Sequence, residues 1–193
     1  DDMKREFAKN HVALRPYTEI ENAVGKLSGR KKMLIDPERL SYALYKLIPD
    51  ETEMIEKENP EIIMKSVKND IETEHIRRAH LKDAAAHTKF IYWLKENIGK
   101  TEITERSASA RLEEFRKEQD GYLGPSFEPI SAYYEHGAIV HYSASKESDA
   151  RLEKGHFLLT DTGGHYKDGS TDITRTVALG EVSYQEKEDF TLV

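Results

Sequence analysis

Residues 158–179 read LLTDTGGHYKDGSTDITRTVAL, and the fold of the larger part of the chain turns on them. Apolar and polar residues alternate on either side of a glycine-rich centre, the period-two pattern of two strands joined as a hairpin. Asp168-Gly169 is a strong turn dipeptide, and a carboxylate at a turn can sit in water. Asp161 and Asp172 lie inside the strands and need another reason. If Asp168 and Gly169 are the central turn residues, Asp161 faces Thr176, and Asp172 points to the same side of the sheet four residues away. At about 3.4 Å per residue this leaves the aspartates about 13 Å apart, too far to share metal ions about 3.5–4 Å from each other. A wider loop centred between Tyr166 and Lys167 sets Asp161 directly opposite Asp172, with a bulge at Gly163-Gly164 absorbing the difference. Two close carboxylates on a neutral, half-buried sheet face repel, and they call for a cation, a shared proton or water. Hard divalent metals suit carboxylate oxygens. Spacing alone leaves open a second reading, two solvated aspartates on a polar face.

The segments before the hairpin set its context. GYLGPSFEPIS leads into GAIVHYSA, which reads as a strand, and two helices precede it. The first is long, capped at Ser66 or Asn69, with Ile76, Ala79, Ala86, Phe90, Trp93 and Leu94 at helical spacing and a stop at Gly99. The second, from about Thr104 to Gln119, turns Ala108, Leu112 and Phe115 inward. The first sixty residues alternate short elements: HVALRPY and KKMLID read as strands, EIENAVGKLSG and ERLSYALYKLIP as helices. EKENP at 56–60 is the best linker, because Pro60 disfavours helix at Asn59. The fold class is therefore α/β (α+β), with a domain boundary expected near residue 58.

Composition narrows the function. The chain has 193 residues, 37% of them hydrophobic, enough for a real core. A net charge of -7 has the wrong sign for a general nucleic-acid binder, and no basic run carries interleaved aromatics. With no cysteine there is no disulfide framework, thiolate nucleophile or zinc–thiolate site. No apolar run reaches the roughly 20 residues of a membrane span. The expectation is a soluble, cytoplasmic protein with neither nucleic acid nor membrane as partner. The strand-like opening and the closing EKEDFTLV, which stops inside a helical pattern, read as the ends of a piece of something longer.

DTGGHYKDGSTDITRTV closely resembles the Asp-Ser-Gly…Tyr-x-Asp-Gly-Thr-Thr-Asp…Thr-Arg-Thr signature of the Xaa-Pro aminopeptidases, metallopeptidases with the pita-bread fold. ENPEIIMKSVKNDIETEHIRRAHLKDAAAHTKFIYWL, TEITERSASARLEEFR and GPSFEPISAYYEHGAIVHY are similar to that family's first catalytic-domain helices and strand. VALRPYTEI and MLIDPERLSYALYKLIP resemble the end of the preceding domain in three-domain members. The resemblance implies the end of a creatinase-like N-terminal domain over 1–57 and the first half of a pita-bread domain over 58–193. It implies Asp161 and Asp172 as ligands to two divalent metal ions, manganese expected with cobalt or zinc as alternatives, and Asp172 as the bridging one. It also implies His141 as a catalytic group beside the metals, although a lone His before Tyr on a strand also reads as structural. The implied partners are peptides with proline at the second position, with a homodimer as the expected assembly. The family's remaining ligands, a histidine and two glutamates, are expected outside these residues, so the piece alone is expected to be inactive. Thr162 stands where the family usually has Ser, and Tyr134-Glu135-His136-Gly137 where Gly-x-Asn-Gly or a similar turn is common. Alternatives are a prolidase- or creatinase-type relative, or a pita-bread binding module without catalysis.

Three other features compete for attention. His80, Asp83 and His87 share one helix face, but with Ile76, Ala79 and Phe90 on the same stripe they read as polar residues in a packed face. SGRKK at 28–32 reads as a solvated basic loop, and the Tyr92 and Trp93 pair as helix packing.

Overall fold

The computed structural model describes residues 2–27 and 32–193. Of the SGRKK cluster, residues 28–31 lie outside the described residues. The chain divides into two compact units, one up to Val67 and one from Lys68 to Val193.

The first unit contains α1 (Asp2–Lys9), α2 (Ile20–Gly25), β1 (Lys32–Ile35), α3 (Tyr42–Tyr45), β2 (Glu53–Glu56) and α4 (Pro60–Ser66). β1 and β2 pair in parallel, Lys32 beside Glu53 through Ile35 beside Glu56. The expected strand over HVALRPY is absent: α1 ends just before it at Lys9, and no described strand pairs with residues 11–17, without which an extended segment has no ladder to join. The helix expected over ERLSYALYKLIP is confined to α3, whose start is fixed by Ser41 accepting from the Leu44 amide at 3.4 Å. Pro60 does open a helix, with Asn59 in extended conformation as its cap.

The second unit is built on two capped helices. α5 (Asp70–Asn97) starts at an Asn69/Glu72 capping box, and α6 (Glu105–Lys117) at a Thr104/Ser107 box. Phe90 and Leu94 of α5 and Ala108 and Leu112 of α6 are fully buried and pack with Ile98, Ile103, Leu158, Val177 and Leu179 as one core. Trp93 packs against this core while Tyr92 is exposed, so the expected packing pair is Trp93 alone. The strands are β3 (Tyr122–Pro125), β4 (Ile130–Tyr133), β5 (Phe157–Thr162), β6 (Gly164–Tyr166), β7 (Gly169–Ser170) and β8 (Ile173–Ala178), followed by α7 (Tyr184–Leu192). They form two antiparallel three-stranded sheets, β4-β5-β8 and β3-β6-β7. GAIVHYSA is not a strand: Tyr134–Ala138 wind into a 3₁₀ turn, and His141 adopts a left-handed backbone with φ 56°.

Candidate metal centre

The hairpin register differs from both sequence-based alternatives. Asp161 faces Thr174, and Thr162 faces Ile173, so Asp172 lies two residues from the position opposite Asp161. That is the diagonal relation, within reach for side chains on one sheet face. His165 faces Ser170 and Tyr166 faces Gly169, continuing the same register through the tip, so no net bulge is needed at Gly163-Gly164. The turn is centred on Lys167 and Asp168 rather than on Asp168 and Gly169. Tertiary contacts account for the shift, because Lys82 of α5 binds the Asp168 carboxylate and Gly169 lies against Ile76 and Ala79. The glycine pair has a different role. A Cβ on Gly163 would lie 2.0 Å from the Thr171 carbonyl oxygen and 2.2 Å from Ser126 Oγ, so only glycine fits where the strands hand over from one sheet to the other.

Strand alternation turns Thr160 and Thr162 into the interior and Asp161 outward; on the other arm Thr171 is buried and Asp172 exposed. The diagonal register sets the two carboxyl groups near enough on one face to act on each other. Partial desolvation and then the Asp161 charge and hydrogen bond push the Asp172 carboxyl above the usual carboxylate range, with His80 acting weakly in the opposite sense. Thr174 Oγ1 donates to Asp161 Oδ1 at 2.8 Å and fixes that carboxylate's orientation. Two hard oxygen donors in mutual repulsion on an exposed face are a donor set that fits a divalent cation. Among the described residues no group of three or more His, Asp or Glu side chains is placed to hold a metal.

His141 is not brought into this pair. Its side chain is exposed, it makes no hydrogen bond to a described residue, and the imidazole that acts on Asp172 is that of His80. The loop carrying His141 is nonetheless organised. Fully buried Glu105 accepts from Tyr133 N at 2.7 Å, His136 Nδ1 at 2.8 Å, Tyr142 Oη at 2.8 Å and Ala150 N at 3.1 Å. His136 stacks on Tyr142 with ring centroids 4.5 Å apart. Glu105 went unread in sequence because its partners lie 28–45 residues away.

Behind the aspartates lies a second polar cluster. Asp83, fully buried, pairs with Arg116 at 2.6 and 3.2 Å and also accepts from Tyr166 Oη at 3.2 Å and from Thr171 Oγ1. The carboxylate on the His80/Asp83/His87 face is thus committed to an arginine and two hydroxyls. His87 is buried beside this pair without a hydrogen-bond partner among the described residues, and burial, with Arg116 next, lowers its pKa to about 4. A hollow of about 760 Å³ lies in the first unit against Arg15, Tyr17, Glu19 and Lys26.

With this geometry in hand, the comparisons with known proteins are specific. A model of metallopeptidase family M24 matches residues 74–193, and a model of the creatinase/prolidase N-terminal domain matches residues 1–72. The chain is 39% identical over 183 residues to Xaa-Pro aminopeptidase 2 of Sus scrofa, a match covering 94% of this chain and 27% of that protein. It is 34% identical over 198 residues to Xaa-Pro aminopeptidase 1 of Dictyostelium discoideum, covering all of this chain and 31% of that protein. Among solved structures, an X-prolyl aminopeptidase of Caenorhabditis elegans, described as a cytosolic enzyme with a di-nuclear active site, superposes with a TM-score of 0.84 at 29% identity. That match covers 96% of this chain and 31% of the other. An Xaa-Pro dipeptidase of Bacillus anthracis gives 0.74 at 27% identity, covering 90% of this chain and 48% of the other. The chain thus spans less than a third of these curated relatives.

Proposed function

This chain belongs to metallopeptidase family M24, and on that premise we propose that it carries part of the catalytic centre of an aminopeptidase that releases an N-terminal residue preceding proline. The observation that carries the reading is the meeting of the Asp161 and Asp172 carboxyl groups on one outward face of the hairpin. In this reading Asp161, held by Thr174, and Asp172 are ligands to two divalent ions, manganese by expectation, with Asp172 bridging. When bound, such ions activate water and polarise the scissile carbonyl. His141 then serves the same site by hydrogen-bonding the peptide or passing a proton to the leaving nitrogen. The hand-over from the N-terminal domain at residue 58, a cytoplasmic location and a homodimeric assembly belong to the same proposal. Relatives named Xaa-Pro aminopeptidase support the substrate class, and the cytosolic nematode enzyme supports the location.

The test is hydrolysis by the intact protein of peptides with proline at the second position. Turnover of tripeptides and longer peptides is expected, dependent on added divalent metal and abolished by Asp172→Asn. The likeness to a dipeptidase gives a second reading, and cleavage of Xaa-Pro dipeptides alone would favour it. Metal-independent turnover would end both.

A further inference from the structure

The position of Asp172 is not set by a regular ladder. Backbone pairing is continuous from Phe157 with Ala178 to Thr162 with Ile173, and it resumes at His165 with Ser170. Between these the arms share one backbone hydrogen bond, from Thr171 N to the Gly164 carbonyl, and Gly163 and Asp172 are not paired. The Gly163 carbonyl accepts from Ser126 N at 3.1 Å, and the Thr171 carbonyl accepts from Ser126 Oγ at 2.8 Å. The Gly164 amide donates to the Thr171 hydroxyl at 2.9 Å. Side-chain hydroxyls therefore share with a single backbone bond, Thr171 N to the Gly164 carbonyl at 2.9 Å, the holding of the two arms where Asp161 and Asp172 leave them.

Two hydroxyls beside the aspartates, those of Thr162 and Thr171, converge on one ion pair. Thr162, next to Asp161, accepts from Arg116 Nη2 at 2.9 Å, and Thr171, next to Asp172, donates to Asp83 Oδ2. Arg116 and Asp83 are 3% and 0% exposed and come from two different helices. A fully buried ion pair is weak evidence of stabilisation, because desolvating both charges consumes most of their attraction. It does fix geometry, since each charge has to keep all its partners. Opposite it, across the sheet, stand two carboxylates that repel each other.

We infer that the Asp83–Arg116 pair, acting through Thr171 and Thr162, is a rear clamp that holds Asp161 and Asp172 at the separation a shared divalent cation requires. Asp83, Arg116, Thr162 and Thr171 are on this account positioning residues that touch neither metal nor substrate. The inference rests on the metal reading of the two aspartates, and it adds which residues set their spacing. The departure at Thr162 is consistent with it, since threonine keeps the hydroxyl that Ser would offer to Arg116.

The experiment is Mn²⁺ titration of the intact protein after chelator stripping, alongside urea unfolding in chelator. Thr171→Val and Thr162→Val keep volume and remove the hydroxyl. Each is expected to weaken Mn²⁺ binding by about 10-fold or more, the usual effect of losing a group that orients a ligand. Thr171→Ser is expected to restore wild-type affinity. Thr160→Val is the control: it removes an equally buried hydroxyl on the same strand that bonds only the Arg175 carbonyl, and it should lower stability without changing metal affinity. Unchanged Mn²⁺ affinity in a folded Thr171→Val or Thr162→Val protein overturns the clamp alone, as does equal weakening by Thr160→Val. A wild-type protein that takes up no Mn²⁺ overturns the metal reading and the clamp together.

Discussion

Asp172 is held in a state that costs the fold something without a cation. Its carboxyl is pushed above the usual range by desolvation and by Asp161, so in the metal-free protein ionised Asp172 opposes folding, and this opposition grows as pH rises through the raised folded value. Asp172→Asn removes the repulsion while keeping shape. It is expected to raise metal-free stability at pH 7 by a few tenths to about 1 kcal/mol, the range for like charges on facing strands, and to abolish Mn²⁺ uptake. Urea midpoints in chelator and a metal titration check the two halves separately; a destabilised Asp172→Asn would contradict the repulsion. His87 gives the opposite sign. Its folded pKa, about 4, lies below the ordinary 6.5 because it is buried beside Arg116, so its contribution is complete above pH 6.5 and is lost as pH falls toward 4. The loss approaches about 3 kcal/mol once both states are protonated. Carboxylates titrate in part of the same window, so the measurement is the difference in stability between wild type and His87→Leu from pH 7 to pH 4. That difference should shrink as pH falls, whereas a constant difference would mean His87 is not held neutral.

Among the elements, those specified by local chemistry were legible. The Asn69/Glu72 box starts α5, Thr104 starts α6 with Ser107 as its reciprocal partner, and alternation marks β5 and β8. The errors fall where tertiary partners decide. Asp168-Gly169 has the composition of a turn centre, but Lys82, Ile76 and Ala79 fix the register one residue earlier. GAIVHY has the composition of a strand, yet Glu105 draws Tyr133, His136 and Tyr142 around one carboxylate and bends the chain instead. The rear pair of Asp83 and Arg116, 33 residues apart on different helices, had only a faint signal: a charged residue inside the stripe of Ala79, Ala86 and Phe90. Glu105 is the carboxylate around which this loop is gathered. It faces only donors, so Glu105→Gln puts an amide NH₂ against one of them and loses the charge-assisted bonds. The expected cost is about 2–3 kcal/mol. Amide hydrogen exchange should accelerate across residues 133–150, His141 included, while β5 and β8 stay protected. Uniform acceleration over the whole second unit would show instead that Glu105 supports the core and not the loop.

For the whole molecule, the M24 membership and the mixed α/β class were readable because the hairpin signature packs glycine, hydroxyl and carboxylate requirements into seventeen contiguous residues, 161–177. The number of donor atoms limits what these residues can hold of a metal centre. Two metal ions of the hard divalent class need about six donors each, mostly oxygen. The described residues bring together two carboxylates and no larger group of candidate ligands. Even with Asp172 bridging, most positions at both ions would fall to water, which can supply neither the compensating charge nor a dry wall around an attacking nucleophile. His141, exposed in its turn, has no wall to work against either. The 193-residue chain taken alone, a span of less than a third of its curated relatives, is therefore expected to bind Mn²⁺ weakly and to hydrolyse nothing. The check is a side-by-side assay of this chain and the full-length protein on peptides with proline at the second position, with Mn²⁺ supplied and circular dichroism confirming that the shorter chain is folded. Turnover by the full-length protein and none by the shorter chain is the expected outcome. Comparable turnover by the shorter chain would overturn the two-metal mechanism, because the reaction would be running on two carboxylates where the chemistry asks for a complete set.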